Sequence, residues 1–208
     1  MTTEQAYVRN VLFGIELLDA VTLARVSAGV DVVAEGLQGK PIVNADGFFV
    51  WLQEDRTRLR KVTIKPGRLP YEDVELQPAQ VTQRHIIVEL RPRIDYPFAA
   101  GVTGVRGMLV EKQTQRVPVR DAEVYLRWLD GLGDFRDAPT ASHTDERGSF
   151  VAVVRLAPAD QPQLDLNGAL TARLRARRGI NERGSPDFKL PLGHIAADLS
   201  FAWDDLLP

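Results

Sequence analysis

The 208-residue sequence has no cysteine, which excludes disulfides, thiolate catalysis and zinc or iron–sulfur sites that depend on cysteine ligands. It also lacks the glycine-rich motifs that bind nucleotide phosphates and the Gly-x-Ser-x-Gly elbow of α/β-hydrolases. No apolar run approaches the ~20 residues of a membrane-spanning helix. The fold must therefore be stabilised by packing, and we expect no cofactor and no membrane partner.

A strong charge of either sign is also missing. The net charge is −2, so no overall field draws the chain to nucleic acid, and binding of a polyanion would need a local basic patch. The first residues include Glu4, Arg9 and Asn10 and do not match a secretory signal. We expect a cytoplasmic protein, although a chain trimmed of its signal, or one released within an assembled particle, would look the same.

What the sequence does contain is alternation. In the segment 170–177 every odd-numbered residue is polar and every even-numbered residue is apolar, which is typical of a half-buried β-strand. Similar segments separated by Gly, Pro, Asp and Asn predict further strands. These are Phe13 to Leu17, Val30 to Val33, Phe48 to Leu52, Arg60 to Ile64, Arg84 to Leu90, Val105 to Val110, Glu123 to Trp128, Phe150 to Leu156 and Ala196 to Trp203.

Few segments have apolar residues at the spacing of a helix. The best candidates are Glu16 to Ala24 and a short turn near Ala157 to Gln161. The rhythm of short strands and turns predicts an all-β protein made of β-sandwich domains.

A proline-containing segment, Arg91 to Phe98, interrupts the strands. Pro92 and Pro97 donate no backbone hydrogen bond and restrict the residue before them, as expected for a short, stiff linker. The length exceeds the ~100–150 residues of a common domain, and both halves share a weak internal repeat of strands and turns. We predict two tandem domains, residues 1–94 and 95–208.

The stretch Thr144 to Phe150, TDERGSF, has two interpretations. Asp145 can accept backbone hydrogen bonds, Gly148 can adopt positive φ, and Phe150 can then begin a buried strand, which predicts a hairpin corner. The alternative is a calcium site that uses Asp145 and Glu146 with Asp134 or Asp137. The spaced acids of a dedicated calcium loop are missing, so we predict no metal site.

The second half also contains a set of motifs in a recognisable order. They are Thr114, Pro118-Val119, Ala122-Glu123-Val124 and Thr144 to Phe150, with a looser counterpart in Thr22, Val26, Ala28, Val30 and Asp46 to Phe49. Together they resemble the carboxypeptidase regulatory-like domain, a transthyretin-like β-sandwich. The resemblance implies an Ig-like or transthyretin-like fold and marks no active site. The motifs of transthyretin-like hydroxyisourate hydrolases are missing.

Residues for catalysis are scattered. His85, His143 and His194 form no local metal motif, so a hydrolase would need a site assembled only in three dimensions. The densest charge lies in Arg173, Arg175, Arg177 and Arg178, which form a candidate interaction patch for an anionic ligand. The alternative is a solvated sheet face whose arginines pair with nearby acids.

We expect a non-enzymatic structural or adaptor protein whose partners are other proteins of a larger assembly, such as a phage-tail-like contractile injection particle. A second hypothesis is a carbohydrate- or polyanion-binding module, with Trp51, Trp128 or Trp203 as an exposed platform. The carboxy-terminal segment 199–208 is either a final strand that packs on the second domain or a tail that docks on a neighbour.

Overall fold

The computed structural model describes residues 10–52, 56–157 and 159–208. Within them the chain has sixteen strands and no α-helix, so the all-β prediction is confirmed. No helix in these ranges is long and apolar enough to cross a membrane. Residues 1–9, which include the segment compared with a secretory signal, lie outside the description. The chain divides into two compact units, Met1–Leu90 and Arg91–Pro208, whereas the sequence placed the division between residues 94 and 95.

The described residues of the first unit form two sheets. Its strands are β1 (Val11–Asp19), β2 (Asp31–Glu35), β3 (Ile42–Val43), β4 (Phe49–Leu52), β5 (Lys61–Lys65), β6 (Val74–Leu76) and β7 (His85–Leu90). The order is β3-β4-β1-β7 in a four-stranded sheet and β2-β5-β6 in a three-stranded one. Strand β1 runs antiparallel to β4 and parallel to β7. Two 3-10 turns occupy Arg56–Arg58 and Pro78–Gln80.

Strand β1 shows why this unit folds as sheets. Phe13, Ile15 and Leu17 are fully buried on one face, and the Phe13 ring stacks on Trp51 with 4.7 Å between centroids. Each such side chain contributes about 1.5–3 kcal/mol when it is fully buried. The alternation gives the strand one apolar face, which a neighbouring layer must cover.

The helix predicted for Glu16 to Ala24 is wrong. Strand β1 continues to Asp19, whose carboxylate accepts the N–H groups of Val21 at 2.7 Å and Thr22 at 3.0 Å and so turns the chain. The local hydrogen bonds of an aspartate compete with helix formation, and parallel pairing with β7 continues the strand through Glu16–Asp19. The turn predicted near Ala157 is present, because Asp160 donates its N–H to the Ala157 carbonyl.

The second unit also has two sheets. Its strands are β8 (Thr103–Val110), β9 (Glu123–Leu129), β10 (Phe135–Asp137), β11 (Ser142–His143), β12 (Ser149–Val154), β13 (Ala169–Arg178), β14 (Asn181–Gly184), β15 (Phe188–Pro191) and β16 (Ile195–Ala202). The six-stranded sheet has the path β10-β9-β13-β14, with β11 beside β9 and β15 beside β13; the three-stranded sheet has the order β12-β8-β16. A 3-10 turn, Trp203–Asp205, follows.

Both sheets of the second unit contribute to one hydrophobic core. Leu126 and Leu174 come from the six-stranded sheet, and Leu109 and Phe150 come from the three-stranded sheet. All four side chains are almost completely buried. Within the predicted segment 170–177 the even-numbered residues face this core and the odd-numbered ones do not, which confirms the predicted alternation.

The carboxy-terminal segment packs on the second unit. Trp203 and Leu206 belong to its hydrophobic core. Leu207 and Gly184 exchange backbone hydrogen bonds of 2.7 and 2.8 Å. Of the two interpretations of this segment, the structure therefore favours packing over a free docking tail.

Candidate functional site

The predicted arginine patch lies at the exposed face and end of β13. Each of its four arginines has a carboxylate partner within ion-pair distance. The pairs are Arg173 with Asp187, Arg175 with Glu182, Arg177 with Glu123, and Arg178 with Glu111. Four positive charges are thus matched by four negative ones, and an anionic ligand would have to displace a carboxylate at each arginine. This arrangement favours the solvated-face interpretation.

One aromatic ring contacts two arginines on this face. Arg173 stands opposite Arg127 in the register of β13 and β9, a pairing that would be repulsive on its own. The Phe135 ring lies 4.0 Å from Arg173 Cζ and 5.9 Å from Arg127 Cζ, measured to its centroid. Asp137 Oδ1 lies 2.6 Å from Arg127 Nε. Arg127 and Arg173 therefore each have an acidic partner, and both contact the Phe135 ring.

The stretch TDERGSF is a hairpin corner, as predicted. Asp145 Oδ1 accepts the backbone N–H groups of Arg147 and Ser149, each at 2.8 Å. Gly148 has φ of +74°, and a Cβ there would lie 2.4 Å from the Leu109 carbonyl oxygen. The backbone therefore uses the Asp145 carboxylate to reverse the chain between β11 and β12.

A second aspartate organises the loop before β10 in the same way. The buried Asp130 carboxylate accepts the N–H groups of Leu132 at 2.9 Å and Asp134 at 3.0 Å, and Arg136 Nε at 2.7 Å. The Arg136 hydrogen bond, followed by the Asp134 N–H, lowers the pKa of Asp130 below its ordinary value. Over the described ranges, no three His, Cys, Asp or Glu side chains are grouped so that they could hold a metal ion.

The first unit holds a polar cluster that the sequence did not predict. Glu16 points to the outer face of β1, yet it is only 8% exposed. Its Oε1 accepts Arg25 Nε at 2.9 Å and Nη2 at 2.5 Å, and its Oε2 lies 3.0 Å from His85 Nε2. The Arg25 hydrogen bond is the main cause of the lowered pKa of Glu16. Arg25 and His85 both also contact the Phe48 ring.

A carboxylate that orients an imidazole is one part of many catalytic sites, but a nucleophile must complete it. Among the described residues, His85 forms no hydrogen bond with a serine or threonine hydroxyl. The cluster ties β1 to β7 and to the loop that carries Arg25, which is a structural role.

The three histidines lie on different structural elements. His85 begins β7 in the first unit. In the second unit, His143 belongs to β11 of the six-stranded sheet, and its Nδ1 lies 2.9 Å from Arg91 Nη1. His194 precedes β16 of the three-stranded sheet, where its carbonyl accepts the Gly104 N–H.

The three tryptophans are core residues. Trp51, Trp128 and Trp203 are 2%, 3% and 7% exposed. Trp203 also lies against Arg183, whose Cζ is 5.2 Å from its ring centroid. None of them offers the exposed aromatic platform that a carbohydrate-binding module would need.

Two surface features of the structure were not singled out in the sequence. One is a cleft of about 620 Å³ on the second unit, whose lining includes Arg106, Met108 and Arg116 but no histidine. The other is the pair of edge strands of the four-stranded sheet in the first unit. Ile42 on β3 and Ile87 on β7 expose half or more of their surface there.

Comparison with known proteins adds no family. No family model, no curated protein and no solved structure matches this chain.

Proposed function

We propose that this chain is a non-enzymatic structural or adaptor protein, built from two tandem β-sandwich domains of the carboxypeptidase regulatory-like type. Its partners are other proteins of a larger assembly, for which a phage-tail-like contractile injection particle is one setting. Two observations support the sandwich architecture: each unit contains two sheets, and in the second unit residues from both sheets form one core.

The observation that carries the adaptor role is the nature of edge strand β7. It reads HIIVEL and ends the four-stranded sheet, with β1 as its ladder partner. Ile87 at its centre is 57% exposed. Proteins usually protect such an edge with lysine, proline or a bulge, because unpaired N–H and C=O groups beside apolar side chains attract another strand. This edge has none of these within the strand, which suits pairing with a strand of a partner protein.

The rival binding functions have less support. A carbohydrate platform would need an exposed tryptophan, and a polyanion site on β13 would need arginines without acidic partners. Pairing of a partner strand with β7 requires neither an exposed tryptophan nor an unpaired arginine.

The test is the substitution Ile87→Lys, which places a charge at the centre of the edge. Because Ile87 is mostly exposed, we expect the domain to remain folded while pairing with a partner strand is lost. Tagged wild-type and variant chains would be expressed in the native source, and co-purifying proteins would be quantified by mass spectrometry. We expect a specific set of partners to fall by about 10-fold or more, since a lost strand pairing removes several hydrogen bonds.

Val33→Lys is the matched control, because Val33 is 44% exposed on β2, an edge strand of the other sheet. It adds the same charge to the same unit and should retain the partners. Isolation of the wild-type chain without partners, or equal retention by both variants, would contradict the proposed role of β7.

A further inference from the structure

The cleft of about 620 Å³ opens on the outer face of the three-stranded sheet of the second unit. Along central strand β8, Val105 and Leu109 belong to the core, so the alternate residues Arg106 and Met108 point to the other face. Ile94, from the segment before β8, also lines the cleft. Its size lies within the ~300–1,000 Å³ of small-molecule sites.

An irregular strand forms one side of this cleft. Strand β16 pairs with β8 at Ala196 and again at Leu199, whereas the partner residues Val105 and Gly107 are only two positions apart. The extra residue makes a β-bulge, a feature that redirects side chains and is common beside functional sites. Within the bulge, Asp198 lines the cleft and has φ of +60°.

A second residue of the lining has the same unusual backbone. Arg116 has φ of +49°. Left-handed backbone is rare for residues other than glycine, and it concentrates at ligand sites where the surrounding structure holds it in place. Arg116 lies in the loop between β8 and β9, so its presence beside Asp198 is a product of the tertiary fold.

Two charged groups of this cleft, on Arg116 and Asp198, differ from the arginines of β13 because they have no partner in the described part of the chain. Among the described residues, neither the Arg116 guanidinium nor the Asp198 carboxylate forms an ion pair or a side-chain hydrogen bond. Arg106 donates from Nη2 to the Tyr96 carbonyl and contacts the Phe98 ring, but its Nε is buried without a hydrogen-bond acceptor. A buried donor without a partner is costly unless a ligand satisfies it.

We propose that this cleft binds a small amphipathic anion, with one carboxylate or phosphate group attached to an apolar body. Arg106 and Arg116 supply charge-assisted hydrogen bonds to the anionic group. Ile94 and Met108 provide the apolar contact surface. Asp198 repels a second negative charge, so the site selects ligands that carry a single anionic group. This proposal does not depend on the role of β7, which lies in the other unit.

The experiment is a titration of the ¹⁵N-labelled full chain, followed by NMR, with three probes that share a six-carbon body. Hexanoate and hexyl phosphate carry different anionic groups, and 1-hexanol is the neutral control. We expect saturable shifts at cleft residues with an anionic probe and binding at least about 10-fold weaker with hexanol, the factor for one hydrogen bond to a charged group. Tighter binding of one anionic probe identifies the headgroup.

Two variants change the affinity in opposite directions. Arg116→Gln removes the positive charge and, like arginine, places a residue with a Cβ at this positive φ. We expect binding of the better anionic probe to weaken about 10-fold. Asp198→Asn keeps a residue that tolerates positive φ and removes the repulsion, so the same probe should bind several-fold more tightly. The gain in affinity keeps the proposal testable if the first variant fails to fold.

Arg177→Gln is the charge-matched control, because it removes one arginine from the other sheet. It should leave the affinity unchanged, and the amide spectrum of each variant reports whether the fold is retained. The proposal is overturned if no anionic probe saturates, if hexanol binds equally well, or if Arg116→Gln and Arg177→Gln weaken binding equally.

Discussion

The two sheets of the second unit share one core but expose opposite kinds of surface. The outer face of the six-stranded sheet has many arginines, and those of the β13 patch are paired with acids. At the cleft on the outer face of the three-stranded sheet, by contrast, Arg116 and Asp198 have no partner among the described residues. The density of arginine in the sequence therefore does not show which face carries unpaired charge.

The largest expected effect comes from the turn that joins these two sheets. Gly148→Ala would place a Cβ 2.4 Å from the Leu109 carbonyl oxygen at a position with φ of +74°. Strained backbone and a clash with another backbone segment together should cost about 2–4 kcal/mol of the free energy of unfolding. Urea denaturation followed by circular dichroism measures this loss.

Gly133→Ala is the control for this prediction. Its φ is +89°, but a Cβ there would meet no atom within 4 Å. The control should lose only about 1–2 kcal/mol, the cost of left-handed backbone. Equal losses in the two variants would show that the contact with Leu109 does not constrain the turn.

The sequence predicted the longer strands of both sheets well. Alternation located β13 and the exposure of its arginines because a long strand with one buried face repeats every two residues. Each of the ten predicted strands overlaps an observed one. Short strands such as β11, with two residues, escaped notice because no periodicity can be recognised over that length.

The cleft of the second unit and the Glu16 cluster of the first could not be predicted from the sequence. The cleft depends on a bulge in β16 and on the approach of Arg116 from a distant loop, and no local pattern records either feature. The Glu16 cluster is similar, because its partner His85 is 69 positions away and becomes a neighbour only through the parallel pairing of β1 and β7. Non-local contacts of this kind follow from topology.

A second prediction concerns pH and the loop of the six-stranded sheet. Because the folded state lowers the pKa of Asp130, its ionised form stabilises the fold above the unfolded pKa of about 4. This contribution should be lost as the pH falls through the lower folded pKa. Asp130→Asn should therefore lower the urea midpoint at pH 7, and the difference from wild type should shrink toward pH 3.

Asp187→Asn is the comparison variant for this measurement, since Asp187 pairs with Arg173 on the same sheet but is more exposed. Its effect at pH 7 should be smaller, because solvent screens exposed pairs. A difference between Asp130→Asn and wild type that stays constant down to pH 3 would contradict the role assigned to the ionised Asp130 carboxylate.

The smallest effect is expected for an ion pair of the arginine patch, and it tests directly whether paired arginines are merely solvated. A double-mutant cycle with Arg177→Gln and Glu123→Gln isolates their coupling energy. Since half of the Arg177 side chain is exposed, we expect about 0.2–1 kcal/mol, falling further at 1 M salt, where the screening length is about 3 Å. A coupling well above this range that persists at high salt would mean that the face is rigid and shielded from solvent, and the contrast between the two sheets would then lie in how firmly their charges are held.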